Sequence, residues 1–314
     1  MSLTSEIREL ACQLGFFKLG VARVQSFPQL NFLESWLRDG KHGEMTWIER
    51  TKEKRQNPEL VLKDARSIIV VGLNYYVQEP SEFIGPGKIS RYAWGVDYHL
   101  IMEERLEQLT QRVLNRLPDA RAKFYADTGP VMEKAWAEKA GLGWIGKNTN
   151  LIAPGHGSYL FLGVILVDKE WDAYDSPGTD LCGTCTLCIQ TCPTGALTPY
   201  QLDSTKCISY LTIEKKGDFT KEQKSSIGEW VYGCDDCQDI CPWNISPQIS
   251  FEPGFNNFNP FLKALFSQTL SETDFNQMFK KSPLKRLKFT GLKRNLQSTE
   301  ENRASNGLPW EGEF

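Results

Sequence analysis

Eight of the nine cysteines of this 314-residue chain lie between Cys182 and Cys241, and no other feature narrows so far what the chain can fold into. Cys182-Gly-Thr-Cys185-Thr-Leu-Cys188-Ile-Gln-Thr-Cys192-Pro193 reads C-x2-C-x2-C-x3-C-P. Three thiolates so spaced wrap one cubane 4Fe-4S cluster, while the fourth, turned away ahead of the proline, serves a neighbouring cluster. Cys234-Asp-Asp-Cys237-Gln-Asp-Ile-Cys241-Pro242 is a second half-run, with its missing member upstream at Cys207. The count closes at two clusters, one on Cys182, Cys185, Cys188 and Cys241 and the other on Cys192, Cys207, Cys234 and Cys237. A pair of structural zinc sites is the alternative; so dense a run, with both halves ending in Cys-Pro, argues for iron and sulfide. Crowded thiols in a reducing compartment serve metal or redox chemistry rather than disulfides. Cys12 falls on the apolar side of a first helix and is expected to be a small core residue.

A ferredoxin needs little more than this segment, so the flanking residues must do something else. With 40% hydrophobic and 24% charged residues and a net charge of -3, the chain is neither disordered, collagenous nor a coiled coil. Its longest apolar stretch, Tyr159 to Val167, is far short of the roughly 20 residues that span a bilayer. The acidic start lacks the basic and apolar regions of a leader, which points to a cytoplasmic chain with no membrane partner. Periodicity predicts helices over residues 3–14, 30–37, 97–117 and 130–140, with Pro118 and Gly141 ending the last two. Branched apolar runs predict strands at 67–76, 122–126 and 158–168. The fold class is therefore α+β: a mixed α/β domain with a central sheet over 1–175, a dicluster ferredoxin-like module over 176–250, and a helical segment with a basic tail over 251–314.

Several signals need weighing. Gly141-Leu-Gly143-Trp-Ile-Gly146 matches G-x-G-x-x-G but follows a helix and opens none, so it is no dinucleotide site; its glycines are expected to admit a flat ligand. Asp127-Thr-Gly-Pro130 sits where strand meets helix, which favours an N-cap over a carboxyl tuned as a general acid. His42, His99 and His156 show no metal spacing and are expected to be ordinary polar or packing residues. Lys280 to Arg294 carries seven Lys or Arg and no acid. That asymmetry suggests a polyanion such as RNA, with a solvated helix as the alternative and Phe289 available for packing or stacking.

Beside these readings, the chain resembles the epoxyqueuosine reductases from its first helix to about residue 296. The resemblance is carried by Glu53-Lys-Arg55 ahead of Pro58, Tyr92-Ala-Trp94-Gly-Val-Asp97-Tyr-His99, Asp127-Thr-Gly129, Glu138-Lys-Ala-Gly141-Leu-Gly143 and Gly146-Lys-Asn148. It continues through Gly157-Ser-Tyr159, the first cysteine run, Cys207-Ile-Ser209-Tyr-Leu-Thr212, Tyr232-Gly-Cys234-Asp235 and Ser282-Pro-Leu-Lys-Arg286. It implies a nitroreductase-like corrinoid domain, cobalamin beside the two 4Fe-4S clusters, and a tRNA anticodon stem-loop whose modified wobble base is the substrate. Cobalamin follows from the resemblance alone, because no Asp-x-His-x-x-Gly motif is present. Many members carry helical repeats beyond this length, so the short form is implied.

The resemblance also implies roles. Electrons from an external low-potential donor pass through the clusters and cobalamin to the epoxide, whose oxygen leaves as water with two electrons and two protons. Asp127 is the implied acid and a corrinoid neighbour. Arg55, Ser90, Lys147, Asn148, Ser158, Ser209 and Asp235 are implied around the corrinoid, and Thr212 and Lys215 around the substrate, with Lys285 and Arg286 on the RNA. A monomer is expected. A reductive dehalogenase-like corrinoid enzyme and a plain iron-sulfur electron carrier are the alternatives.

Overall fold

Ser67-Ile-Ile-Val-Val-Gly-Leu-Asn74 has no polar side, and such a strand is stable only when both faces of its sheet are covered. The computed structural model describes residues 2–79, 85–308 and 310. In it this strand, β2 (Ser67–Asn74), is buried at every position. It lies between β1 (Lys18–Arg23) and β4 (Leu160–Val167), with β3 (Ala122–Tyr125) beyond β4. All three pairings are antiparallel, and β2 and β4 run in register from Ser67 opposite Val167 to Asn74 opposite Leu160.

Alternation along the strands divides the core. Ile69, Val71, Leu73, Ile165 and Val167 share one cluster with α1 (Leu3–Gln13) and α3 (Tyr98–Arg116). Ile68, Val70, Val164 and Leu166 share the other with α2 (Pro28–Arg38) and α4 (Glu133–Lys139). α3 buries Met102, Leu106, Leu109 and Val113, a stripe of helical period. Gly20 lets the end of α4 close onto β1, since a Cβ there would lie 2.0 Å from the Ala140 carbonyl oxygen.

Four expectations change here. α4 begins at Glu133, not at residue 130, which leaves 126–132 as a turn outside the helix. β1 escaped notice because Lys18-Leu-Gly-Val-Ala-Arg23 has a central glycine and buries four consecutive residues instead of alternating. Cys12 is exposed: α1 buries Thr4, Ile7 and Ala11, and the next residue after Ala11 is rotated about 100° off that face. The residues after 250 do not form a tail. Phe255, Leu265, Phe275, Phe279, Leu284 and Leu292 belong to the same buried cluster as Ile89, Trp94 and Leu106. The Asp97 N–H donates to the Lys281 carbonyl and the Val96 N–H to the Gly254 carbonyl, 2.8 and 2.9 Å.

The cysteine segment is held between these parts. Trp230–Tyr232 pairs in parallel with Lys88–Ile89. α5 (Lys288–Ser305) packs over it, and the fully buried Asn295 amide donates to the Thr212 and Val231 carbonyls, 2.8 Å each. Phe289 is spent on packing, and the Arg294 guanidinium donates to the carbonyls of Leu211, Lys215 and Gly217, so it is not an outward charge. Among the described residues no helix is long and apolar enough to cross a membrane.

If α5 belongs to the core, Leu292→Ala should cost about 2–5 kcal/mol in anaerobic chemical denaturation, and the exposed Lys293→Ala about 0.5 or less. Equal, negligible effects would return the segment to a solvated tail.

Candidate functional site

The eight thiols fall into two sets. Cys182, Cys185, Cys188 and Cys241 line a cavity of about 150 Å³ with Lys147, Asn148, Ile152 and Trp243. The Trp144 indole N–H lies 3.5 Å from the Cys182 sulfur. In the other set, Cys207 and Cys234 pack against Ile208, Leu211, Phe219, Ile227 and Trp230. Burial pushes Cys207, Cys234 and Cys237 above the ordinary thiol range; Cys192 adds to the shift at Cys207 and Cys237, and Cys207 to the shift at Cys234 and Cys237. Buried and massed in this way, the sulfurs become thiolates only where a metal takes the place of their protons. Among the described residues no three or more His, Cys, Asp or Glu are arranged to hold a single metal ion. Two sets of four soft ligands, one set around a cavity, fit two cubane clusters.

Several residues expected around a flat cofactor join the cysteine segment to the sheet domain. Lys147 Nζ donates to the Gly183 and Cys185 carbonyls, 2.6 and 2.9 Å. Asn148, buried, donates to the Cys237 carbonyl, 3.2 Å. The Ser158 Oγ lies 2.9 Å from the Asn244 amide and 3.1 Å from that of Gln238, both donors. Asp235 is buried and accepts from the Ser90 hydroxyl at 2.6 Å and the Arg91 N–H at 2.7 Å; burial pushes its carboxyl up to about 6. Two glycines of 141–146 are explained by packing within the chain. A Cβ on Gly143 would lie 2.0 Å from the Ile152 carbonyl oxygen and one on Gly141 2.6 Å from that of Ser176, so both make room for the protein's own backbone.

Asp127 lies two residues past the end of β3 with φ of 61°, a left-handed conformation that a non-glycine residue adopts at a cost. It caps no helix, because α4 starts six residues later on Met132 without a side-chain cap. Its Oδ2 accepts from the Tyr98 hydroxyl at 2.8 Å and faces His99 Nε2 at 3.7 Å, beyond a hydrogen bond but within ion-pair reach. His99 Nδ1 is 2.7 Å from Asp97 Oδ1, and that same carboxylate caps α3 by accepting the His99 N–H. Tyr98 stacks on His99 and on Phe161, centroids 4.1 and 4.0 Å apart. His99 therefore is not an ordinary packing residue.

The side chain of Asp127 is 66% exposed and so is open to a ligand. Glu133 faces it; burial pushes its carboxyl up to about 8, and its Oε1 has no protein partner. Lys134 reaches the Thr149 carbonyl and Asn150 Oδ1, 3.1 Å each, and feels the charges of Asp127, Cys207 and Cys237 together. Cys207 and Cys237 of the second thiol set and Asp127 thus lie within charge range of one ammonium. Arg55 donates to Thr51 Oγ1 and the Val131 carbonyl, 3.0 Å each, which steadies the turn after Asp127. Arg286 donates to Glu214 at 2.6 Å, lies 5.5 Å over the Trp47 ring and extends its charge to Asp127. Lys285 is exposed, whereas Lys215 is turned to Glu44, 3.5 Å away. Thr212 is fully buried and its hydroxyl is occupied by the Ile208 carbonyl and the Gly233 N–H; Ser209 lies on the same short helix, Ile208–Ile213. A larger groove, about 870 Å³, lies elsewhere against Lys88, Ile208 and Trp230 and gathers no comparable set of groups.

Glu133 and Lys134 were not singled out from the sequence. Tyr98 and His99 stood inside the quoted Tyr92-to-His99 motif, but nothing in the spacing of Glu133 and Lys134 marks a site.

Residues 181–244 match the family model described as a 4Fe-4S double cluster binding domain, and residues 55–128 match the one described as epoxyqueuosine reductase QueG. The epoxyqueuosine reductase of Leadbetterella byssophila is 41% identical over 300 residues, covering 95% of this chain and 98% of the relative. That of Synechocystis is 44% identical over 286 residues, covering 88% and 97%. The solved structure of an epoxyqueuosine reductase with an epoxyqueuosine-modified tRNA stem loop is 31% identical with a TM-score of 0.85, covering 96% of this chain and 81% of that one. A Bacillus subtilis epoxyqueuosine reductase, solved with its catalytic aspartate loop swung out of the active site, matches at 31% identity and a TM-score of 0.84, with the same coverage.

If the two sets hold two clusters, anaerobically reconstituted protein should contain about eight iron atoms. Cys241→Ser should lose roughly half of them and Cys12→Ser none. Stoichiometric zinc without a cubane spectrum would return the thiols to structural sites.

Proposed function

The chain belongs to the epoxyqueuosine reductase family and is an oxidoreductase with a double 4Fe-4S domain, and on that premise we propose how its site works. The substrate is epoxyqueuosine at the wobble position of a tRNA anticodon loop, and the product is queuosine. Epoxide, two electrons and two protons become alkene and water. The observation that carries the reading is one of proximity: a carboxylate open to a ligand, Asp127, lies in charge range of Lys134, as do Cys207 and Cys237.

Cobalamin belongs to the proposal. Residues 1–175, a nitroreductase-like domain in this reading, would hold it with Arg55, Glu133 and Lys134, while 176–250 hold the clusters and 251–314 complete the site. The partnerless Glu133 Oε1 and the open side chain of Asp127 fit a polar ligand there. Bound in that place, a corrinoid would supply low-potential reducing chemistry for the epoxide.

What the chain contributes is position and protons. Tyr98, whose phenol burial and the Asp127 charge hold in its protonated form, donates to Asp127 and fixes its rotamer. An alkoxide is a poor leaving group, so a proton must reach the epoxide oxygen as the C–O bond breaks, and Asp127 is the group placed to give it. Arg286 above Trp47 offers a cation and a ring face at the rim of the site, suited to an anionic, base-bearing strand. We read the protein as a cytoplasmic monomer fed by an external low-potential donor.

Asp127→Ala should keep its iron and bound corrinoid and lose turnover by about 100-fold or more, read as loss of one oxygen from the nucleoside by mass spectrometry. Normal turnover would remove Asp127 from the chemistry. Turnover of a halogenated aromatic but not of modified tRNA would favour the dehalogenase reading. The exposed Lys285 and Lys288 test the RNA face without disturbing the Arg286 pair. Replacing both with Ala should weaken tRNA binding and flatten the log–log salt slope by about 0.7–0.9 per lost phosphate contact. An unchanged slope means that the RNA is held elsewhere.

A further inference from the structure

Asp127 presents a difficulty as an acid. His99 and the Tyr98 hydroxyl hold its carboxyl below the usual range, outweighing the burial that would raise it, so at neutral pH it has no proton to give. The neighbouring imidazole shows the opposite tendency. Against burial, the Asp127 carboxylate at ion-pair distance and the hydrogen-bonded Asp97 push its pKa up to about 9. The geometry explains this without reference to titration. Asp97, anchored as the cap of α3, accepts from Nδ1 at 2.7 Å, which turns Nε2 toward Asp127. Tyr98 stacks on the ring and stops it from swinging away.

From this geometry we infer that His99 is a positioning residue and the proton store of the site, passing the Nε2 proton to Asp127 as Asp127 protonates the epoxide oxygen. The inference rests on the reading of Asp127 as the acid. The ledger for one turnover closes: two electrons come from the external one-electron donor, the first proton from the His99–Asp127 pair, and the second from solvent, releasing water. His99 Nε2 is itself buried, so its proton is replaced by way of Asp127, whose side chain is 66% exposed to solvent. The charged and titratable groups around the pair are Asp97 and Tyr98 on α3, Glu133 and Lys134 on α4, and Arg286, Tyr92 and Tyr232. Glu133 is the competitor, being protonated at neutral pH and within charge range of Asp127; neither it nor His99 Nε2 is hydrogen-bonded to Asp127, but His99 stands at ion-pair distance, 3.7 Å.

The sign of the pH effect follows. His99 is charged below about 9, so the store is full at neutral pH and empties as pH rises through that value. The pairing also stabilises the fold, fully below the free imidazole value of about 6.5 and not at all once pH has passed the folded-state value.

The chain has only three histidines, so the test can be read residue by residue. Histidine-labelled protein with oxidised clusters should show one imidazole, absent in His99→Gln, titrating well above the ordinary range. Asp127→Asn and Asp97→Asn should each lower it by a unit or more; Asn retains the helix cap in the second. A His99 that titrates at an ordinary value, or that ignores both substitutions, overturns the inference whether or not the enzyme turns over. In the assay, His99→Gln should keep its corrinoid content and its KM for modified tRNA within about twofold, lose about 10- to 100-fold in kcat, and lose the fall of kcat on the alkaline side. Unchanged kcat and pH profile, or abolished turnover in Glu133→Gln with His99→Gln unaffected, assigns the proton to another group. A wild-type protein inert on epoxyqueuosine tRNA would instead defeat the family reading and leave the titration to decide the pairing.

Discussion

Everything at the redox end of this protein depends on one buried carboxylate. Asp235 sits between Cys234 and Cys237, where burying a charge costs several kcal/mol unless donors meet it. The Ser90 hydroxyl and the Arg91 N–H meet it from the other side of the chain. The Arg91 guanidinium is in turn held over the rings of Tyr76, Trp94 and Tyr159 and donates to the Val77 carbonyl. The cysteine loop is thereby fixed to the sheet domain. Asn148 on the Cys237 carbonyl and Asn244 with Gln238 on Ser158 extend the same seam.

That seam has a chemical consequence. One-electron transfer needs short distances, and a loop of cysteines on a flexible tether would not supply them. Because the loop is fastened, Cys207 and Cys237 come within charge range of Lys134, on the helix that follows Asp127. The three-layer sheet provides the rigid frame. β3 ends two residues before Asp127, α3 begins directly after Asp97, and both elements pack on β4, so acid and imidazole are set by the core.

The cluster centre was legible because ligand spacing is a local property: Cys182 to Cys192 must be close in space since they are close in sequence. The buried strands were legible for the same reason, being runs whose composition admits one environment. Cys12 shows the limit of that logic, since a rotation of one residue on a helix separates core from surface. The basic segment shows it again. Seven like charges drew attention to Lys280–Arg294, whereas its Leu284, Leu287, Phe289 and Leu292 decide where it lies. The residues implied around a corrinoid were drawn from a resemblance, and Lys147, Asn148, Ser158 and Asp235 turn out to make their side-chain hydrogen bonds to the cysteine segment.

By itself, then, the sequence determined the thiol inventory, the alternation that demands a sheet covered on both faces, and a family resemblance extending through Asp127. Only the tertiary structure decided what Asp127 is. Read along the chain, it was a plausible helix cap. In space the helix begins too late to be capped, and the carboxylate faces a tyrosine and an imidazole from the start of α3, some thirty residues earlier in the chain. The same holds for Lys134 and Cys207, which no periodicity connects. Protonation and redox chemistry are set by charges a few ångströms apart, and contacts between elements distant in sequence exist only once the core has packed.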